Sequence, residues 1–129
     1  MAVTHNTAAQ NAATDAVTAL LGASAHLKFR LAGTIGAPGT IVANLVFSAT
    51  AFGASASGTA TANAITSDTN ATGNASAVAT ASLQTSGGTL VIHCAVAASA
   101  SDINMTNGLV VNAGDTVSCS SLTYKALNA

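Results

Sequence analysis

The stretch His26-Leu27-Lys28-Phe29-Arg30-Leu31 sets Leu27, Phe29 and Leu31 in alternation with Lys28 and Arg30. Successive side chains of a strand point to opposite faces, so a period of two predicts a strand with a buried apolar face and a wet, charged one. The chain downstream repeats this grammar. Residues 33–39, which hold the single proline Pro38, predict an exposed loop. Residues 40–47 predict a second strand with Ile41, Leu45 and Phe47 on one side and Val42 and Val46 on the other. Apolar residues on both sides are the mark of a central strand.

Short strands continue at close intervals. Residues 55–62 alternate Ser, Gly, Thr and Ala with almost no bulk, which predicts a thin strand at an edge or an interface. Residues 67–73 are polar and turn-rich, and 75–83 and 89–97 flank Thr85-Ser86-Gly87-Gly88 as a hairpin with Leu90, Ile92, Cys94 and Val96 toward the core. Asn107-Gly108 and Ala113-Gly114-Asp115 are turn signals around the short apolar stretch 109–111. The last strand, 116–124, changes parity between Cys119 and Leu122, and a bulge near Ser120-Ser121 reconciles the two halves. The pattern predicts a mainly β chain, a single antiparallel β-sandwich or barrel-like domain of roughly six to seven strands.

Upstream of the strands, residues 4–21 are Ala-rich, lack Gly and Pro, and stop at Gly22. This is the signature of an α-helix ended by a glycine. It predicts an N-terminal helix within 1–22 and a β region over 23–129, in one domain of 129 residues, with Thr4 or Asn6 as the cap. Ala9, Ala13, Val17, Leu20 and Leu21 fall on one side at helical spacing, and Asn6, Gln10, Thr14 and Thr18 on another. So weakly apolar a helix keeps its place only through tertiary contacts, on its own sheet or on a neighbour.

Charge is the unusual quantity. Only 5% of residues are Asp, Glu, Lys or Arg, against about 25% in an ordinary soluble domain, and Glu is absent. Asp15, Lys28, Arg30, Asp68, Asp102, Asp115 and Lys125 must serve a surface of roughly 6,000 Å², about one charge per 850 Å². Surface charge of both signs normally suppresses association. Its absence has two readings: partner subunits cover much of the surface, since charge depletion marks interface cores, or Ser, Thr and Asn alone keep it wet. A net charge of −1 with three Lys or Arg offers no grip on phosphates, so nucleic acid is not an expected partner. No apolar run approaches the ~20 residues of a membrane span. No basic segment precedes an apolar core at the N-terminus, so assembly in a cytoplasm is expected.

Titratable residues do not converge in the sequence. His5 lies among Thr4, Asn6 and Thr7, which supply no catalytic or metal partner, and His26 meets a carboxylate only if folding brings Asp15 or Asp68 to it. His93 and Cys94 are adjacent in a strand and point to opposite faces, so they cannot act as base and nucleophile. Ser67-Asp68-Thr69-Asn70 resembles part of a calcium loop but lacks the bidentate Glu. The glycines match no phosphate or dinucleotide pattern. No catalytic residue, cofactor or metal ligand is expected. Cys94 and Cys119 fit no metal spacing; they are expected to be small buried hydrophobes, with a late disulfide open only if their strands pair.

Three segments carry a resemblance: Met1-Ala2-Val3-Thr4-His5-Asn6-Thr7-Ala8-Ala9; Phe47-Ser48-Ala49-Thr50-Ala51-Phe52-Gly53-Ala54 running on through Ile65-Thr66-Ser67-Asp68-Thr69-Asn70-Ala71-Thr72-Gly73; and Gly114-Asp115-Thr116-Val117-Ser118-Cys119-Ser120-Ser121-Leu122-Thr123-Tyr124. Together they look like a group of small virion structural proteins of tailed bacteriophages. The likeness is one of segments and layout over most of the chain, and it carries no active-site residues. It implies a virion location and, among such proteins, a capsid decoration or cement protein that binds the major capsid protein shell and stabilises it. A homo-oligomer is implied, for which a trimer suits a local threefold position. A tail, head-to-tail or fibre component shares the composition. A carbohydrate-binding module on the particle surface is the other alternative, and Phe52 is the aromatic placed to be exposed for it. Under the decoration reading the contact surface falls on Ala9, Ala13 and Val17 of the helix, on Phe52, Ala60 and Ala62 of the thin segment 51–64, and on His93. Packing of the helix and the thin segment on the chain's own sheet is the alternative.

Overall fold

Asn6 caps a helix, α1, that spans Thr7–Ala19 in the computed structural model of the chain, which describes residues 3–127. Met1, Ala2, Asn128 and Ala129, at the ends of the expected domain and of the first resembling segment, lie outside the described residues. The Asn6 side chain accepts from Ala9 N at 2.8 Å, satisfying one of the helix's free donors. Gly22, with φ +68°, takes the left-handed turn that a β-carbon disfavours and so ends the helical path.

Eight strands follow or interleave: β1 (His26–Arg30), β2 (Ile41–Phe47), β3 (Thr59–Thr61), β4 (Ile65–Thr66), β5 (Thr80–Gln84), β6 (Leu90–Ala97), β7 (Ile103–Asn104) and β8 (Thr123–Lys125). Six form one curled sheet, a half-barrel, in the order β4-β2-β1-β5-β6-β7, and β3 pairs with β8 in a second small sheet. The expected mainly β domain with one N-terminal helix is what the chain forms. Every pair is antiparallel except β6 with β7, where Val96 faces Ile103 and Ala97 faces Asn104 in parallel. The loop 98–102, with Ala100 at φ +54°, brings the chain back beside the strand it has just left, so the sheet is mixed.

β1 lies at the centre because both neighbours offer it a complete ladder: Leu27 faces Leu45 and Leu83, and Phe29 faces Ala43 and Ala81. These residues, with Phe47, Val42 and Val96, form the core. β2 departs from strict alternation because the register shifts between Phe29 and Arg30, so that Val42 and Ala43 are both buried while Ile41 is half-buried. The expected hairpin is present: β5 pairs with β6 around a turn in which Thr85 N donates to Thr89 O and Gly88 N to Thr85 O. Of its expected core residues Val96 is buried, Ile92 and Cys94 pack partly against the core, and Leu90 is half-buried.

Two expectations need correction. Arg30 does not sit on a wet face: it is 7% exposed, and its guanidinium donates to Ser82 Oγ (2.9 Å), Gly39 O (2.9 Å) and Gln84 Oε1 (3.1 Å). The reason is the central place of β1, whose outer neighbours Thr80, Ser82 and Gln84 are themselves buried beneath the side chain. The last strand is not continuous over 116–124. Val117 pairs with Asp68, β8 pairs with β3, and the change of parity at Ser120-Ser121 is met by an interruption over 118–122 instead of a one-residue bulge.

The turn after β4 is tied to β2 and packed against the 111–115 turn. Gly73 N donates to Val42 O at 3.0 Å, and a β-carbon on Gly73, at φ +72°, would lie 2.3 Å from Ala113 N. Only glycine lets residues 71–74 pass between β2 and the 111–115 turn.

Candidate interaction surface

The helix docks with its polar side inward. Thr14, fully buried, donates from Oγ1 to Gly58 O (2.5 Å) and accepts from Ala126 N (3.1 Å). Asn11 Oδ1 accepts from Gly58 N (2.8 Å), Asn11 O from Ser55 Oγ (3.2 Å), and Asp15 Oδ1 from Ser55 N (2.9 Å). The turn at 55–58 presents backbone donors and an acceptor that would be left unpaired under an apolar cover, and a buried peptide group without a partner costs about as much as a lost hydrogen bond. Asn11, Thr14 and Asp15 meet that need, and alanines would not.

The consequence lies on the other side of α1. Ala8, Ala9, Ala12, Ala16 and Ala19 are exposed, and Leu20, just past the last turn, is 65% exposed. The outer face of the helix is thus apolar and made of small side chains, while the inner face is hydrogen-bonded. Ala9 and Ala13 belong to this outer half, Ala9 exposed and Ala13 half-buried; Val17 is half-buried at its margin.

The other expected contact residues fall elsewhere. Ala60 is 0% exposed, inside β3 between β8 and α1, so it has no surface to offer a partner. Phe52 is buried, its ring 5.7 Å from that of Phe47 and tilted by 38°, an arrangement favourable for aromatic pairs. Ala62 is half-buried and donates to Leu122 O. These three seat α1 and β8 on the main sheet; they do not form an outer surface. Phe29 and Phe47 are also buried and Tyr124 is half-buried, which leaves no exposed aromatic platform among the described residues. His93 faces Ser82 on the outer side of the sheet, half-buried, with its Nδ1 buried and lacking a hydrogen-bond partner.

The carboxylates hold the backbone. All four carboxylates hold backbone amides: Asp15 that of Ser55, Asp68 those of Asn44 and Asn70, Asp102 that of Ala95, and Asp115 that of Asn112. His26 Nδ1 lies 2.9 Å from Asn44 Oδ1. Among the described residues no three His, Cys, Asp or Glu side chains are grouped to hold a metal ion, and no helix is long and apolar enough to cross a membrane.

Both thiols are free and are turned to different carbonyls, Cys94 to Ala81 and Cys119 to Ser121. Their segments do not pair, since β6 lies between β5 and β7. Burial, with a smaller contribution from the Asp102 charge, pushes the Cys94 thiol up to about 11; burial also raises Cys119. The thiolate is the reactive form, so at pH 8 folded Cys94 should be alkylated by iodoacetamide about 100-fold more slowly than an ordinary thiol of pKa 9.0. The sign for stability follows: between pH 9 and about 11 the unfolded thiol loses its proton while the folded one keeps it, so stability falls as pH rises through that window. A Cys94→Ala variant should flatten that part of the pH–stability curve.

The docking of α1 is separately testable. Thr14→Val keeps the shape and removes both hydrogen bonds, leaving Gly58 O and Ala126 N buried without partners. A loss of about 1–3 kcal/mol in urea unfolding is expected, with early loss of hydrogen-exchange protection in α1.

Comparison with protein-family models, with curated protein sequences and with solved structures finds no match to this chain.

Proposed function

We propose that this chain is a non-enzymatic structural subunit of a phage particle, a capsid decoration or cement protein that lies on the major capsid protein shell and stabilises it. The observation that carries the proposal is the orientation of α1, which keeps its hydrogen-bonding side inward and turns Ala8, Ala9, Ala12, Ala16, Ala19 and Leu20 outward. Small side chains let another backbone approach closely, and an apolar face is stabilised by cover, at roughly 25 cal/mol per Å² removed from water. The rest of the surface agrees: 6654 Å² carries the few charges the sequence supplies, and much of Arg30's charge is already sequestered.

The segment resemblance supports the virion as the location, and a symmetric homo-oligomer, a trimer at a local threefold position, suits the role. Binding several shell subunits at once gives avidity beyond any one contact. A tail or fibre subunit would use the same helix face but would be present in a handful to some tens of copies. The test is a stoichiometric gel of purified particles. Copies in the hundreds, with weakened shells after the protein is stripped, are expected; a count far below that of the shell subunit would overturn the decoration role.

A further inference from the structure

The half-barrel does not close. β7 ends the sheet on one side, and on the other Asp68, just beyond β4, pairs with Val117. Residues 102–111 and 115–123 therefore face each other across a cleft of about 670 Å³, within the size range of ligand-binding clefts. Its floor is Phe29, 2% exposed at the centre of β1. Ile103 and Met105 on one wall and Val117, Cys119 and Leu122 on the other pack partly or wholly into the core, and Val110 stands 52% exposed at the rim.

Both walls present backbone that the chain itself leaves unpaired. The N–H groups of Thr106, Asn107 and Val110, and of Ser118, Cys119 and Ser120 opposite, donate to no acceptor among the described residues. Free N–H groups on both walls over an apolar floor suit an extended segment, whose main chain can bond to them while alternate side chains reach down.

Charge narrows the occupant. Asp102 and Asp115 both line the cleft, whereas no Lys, Arg or His does. Each carboxylate holds one backbone amide through Oδ2 and has Oδ1 left to receive a cation. The geometry points to an extended segment of a different protein, apolar on alternate residues and carrying Lys or Arg, that inserts between residues 102–111 and 115–123 as a missing strand. Neither the described residues of this chain nor those of a second copy supply the segment, since Lys28 and Arg30 are locked in β1 and Lys125 in β8.

This inference rests on the proposal that the chain is an assembly subunit, and gives the partner's chemistry. The probe is the blocked peptide Lys-Val-Thr-Val-Thr-Lys, titrated into the full chain and followed by amide NMR, beside a control with Glu in both Lys positions. Saturable shifts concentrated at residues 104–110 and 116–122 are expected, with binding at least tenfold weaker for the Glu peptide. Asp102→Asn and Asp115→Asn, each able to keep its backbone hydrogen bond, should weaken the Lys peptide about two- to fivefold, the scale of an exposed ion pair. The same spectra report whether each variant is folded. No shifts at millimolar peptide, or shifts confined to α1, would overturn the cleft as a strand site, and equal binding of the two peptides would overturn the basic partner. Hundreds of copies per particle with no cleft binding would sink this inference and leave the assembly role standing; cleft binding with no copies in particles would do the reverse.

Discussion

Arg30→Ala should lower the free energy of unfolding by about 2–4 kcal/mol, the scale for taking a charged donor from buried polar acceptors together with the packing of its stem. Arg30 makes three bonds, all to neutral acceptors, and two of these are side chains that are buried themselves: Ser82 is 0% and Gln84 3% exposed. Burial lowers the guanidinium pKa from its ordinary value, yet arginine holds its proton throughout the ordinary pH range, so a charge is kept inside the fold with no carboxylate bonded to it. Truncation takes the charged donor from Gly39 O, the Ser82 hydroxyl and the Gln84 amide, and leaves the two buried side chains only their own 3.3 Å bond from Ser82 Oγ to Gln84 Oε1. The control separates this from lost packing. The triple variant Arg30→Met, Ser82→Ala, Gln84→Leu removes donors and acceptors together and should recover most of the loss, because an apolar replacement of a complete network leaves nothing unpaired. Urea midpoints at constant m-value would measure both variants. A triple variant as unstable as Arg30→Ala would show that packing, not the orphaned polar groups, sets the cost.

Much of the architecture was legible in short-range pattern. The alternation in 26–31, the doubly apolar 40–47, the Gly87-Gly88 turn and the stop at Gly22 each reflect a local constraint, and each corresponds to an element in the expected place. Three features were not legible, for different reasons. Arg30 was assigned to water because its period matched Lys28; its burial depends on β5 arriving alongside with Ser82 and Gln84, a contact some 50 residues away in sequence. The return of β7 parallel to β6 depends on a loop whose positive φ falls on Ala100, where no sequence signal marks it. Period separates an alanine side of α1 from an Asn, Gln and Thr side but leaves open which of them packs on the chain's own sheet and which meets a neighbour. Tertiary demand decides it, because the 55–58 turn needs hydrogen-bond partners and Asn11, Thr14 and Asp15 supply them. The contact residues expected from composition divide along the same line: Ala9 and Ala13 lie on the outer half of a helix whose face was assigned by period, while Ala60 and Phe52 went inward because smallness and aromaticity also serve packing.

Ala60→Lys and Ala16→Lys put the same side chain on two alanines of the helix-docking region and should give opposite results. Ala60 is fully enclosed in β3, between β8 and α1, where the added methylenes have no room and the ammonium no acceptor. Overpacking costs about 1–3 kcal/mol and burying an unpaired polar head adds several more, enough to unfold a domain with an ordinary margin of 5–15 kcal/mol or leave it barely folded. A lysine at Ala60 therefore costs the fold of the isolated chain and not assembly alone. Ala16 lies on the exposed side of α1, where lysine is a good helix former and its charge stays in water. A change in stability within about 0.5 kcal/mol is expected there. Under the proposed decoration role, however, the same lysine would have to be desolvated wherever the outer face of α1 is covered, and incorporation into particles should fall below detection. Circular dichroism and urea melts of both variants, set beside their copy number in purified particles, make the comparison. Wild-type incorporation of Ala16→Lys would refute the outer face of α1 as the contact surface, and a normally folded Ala60→Lys would refute the docking of the helix over β3.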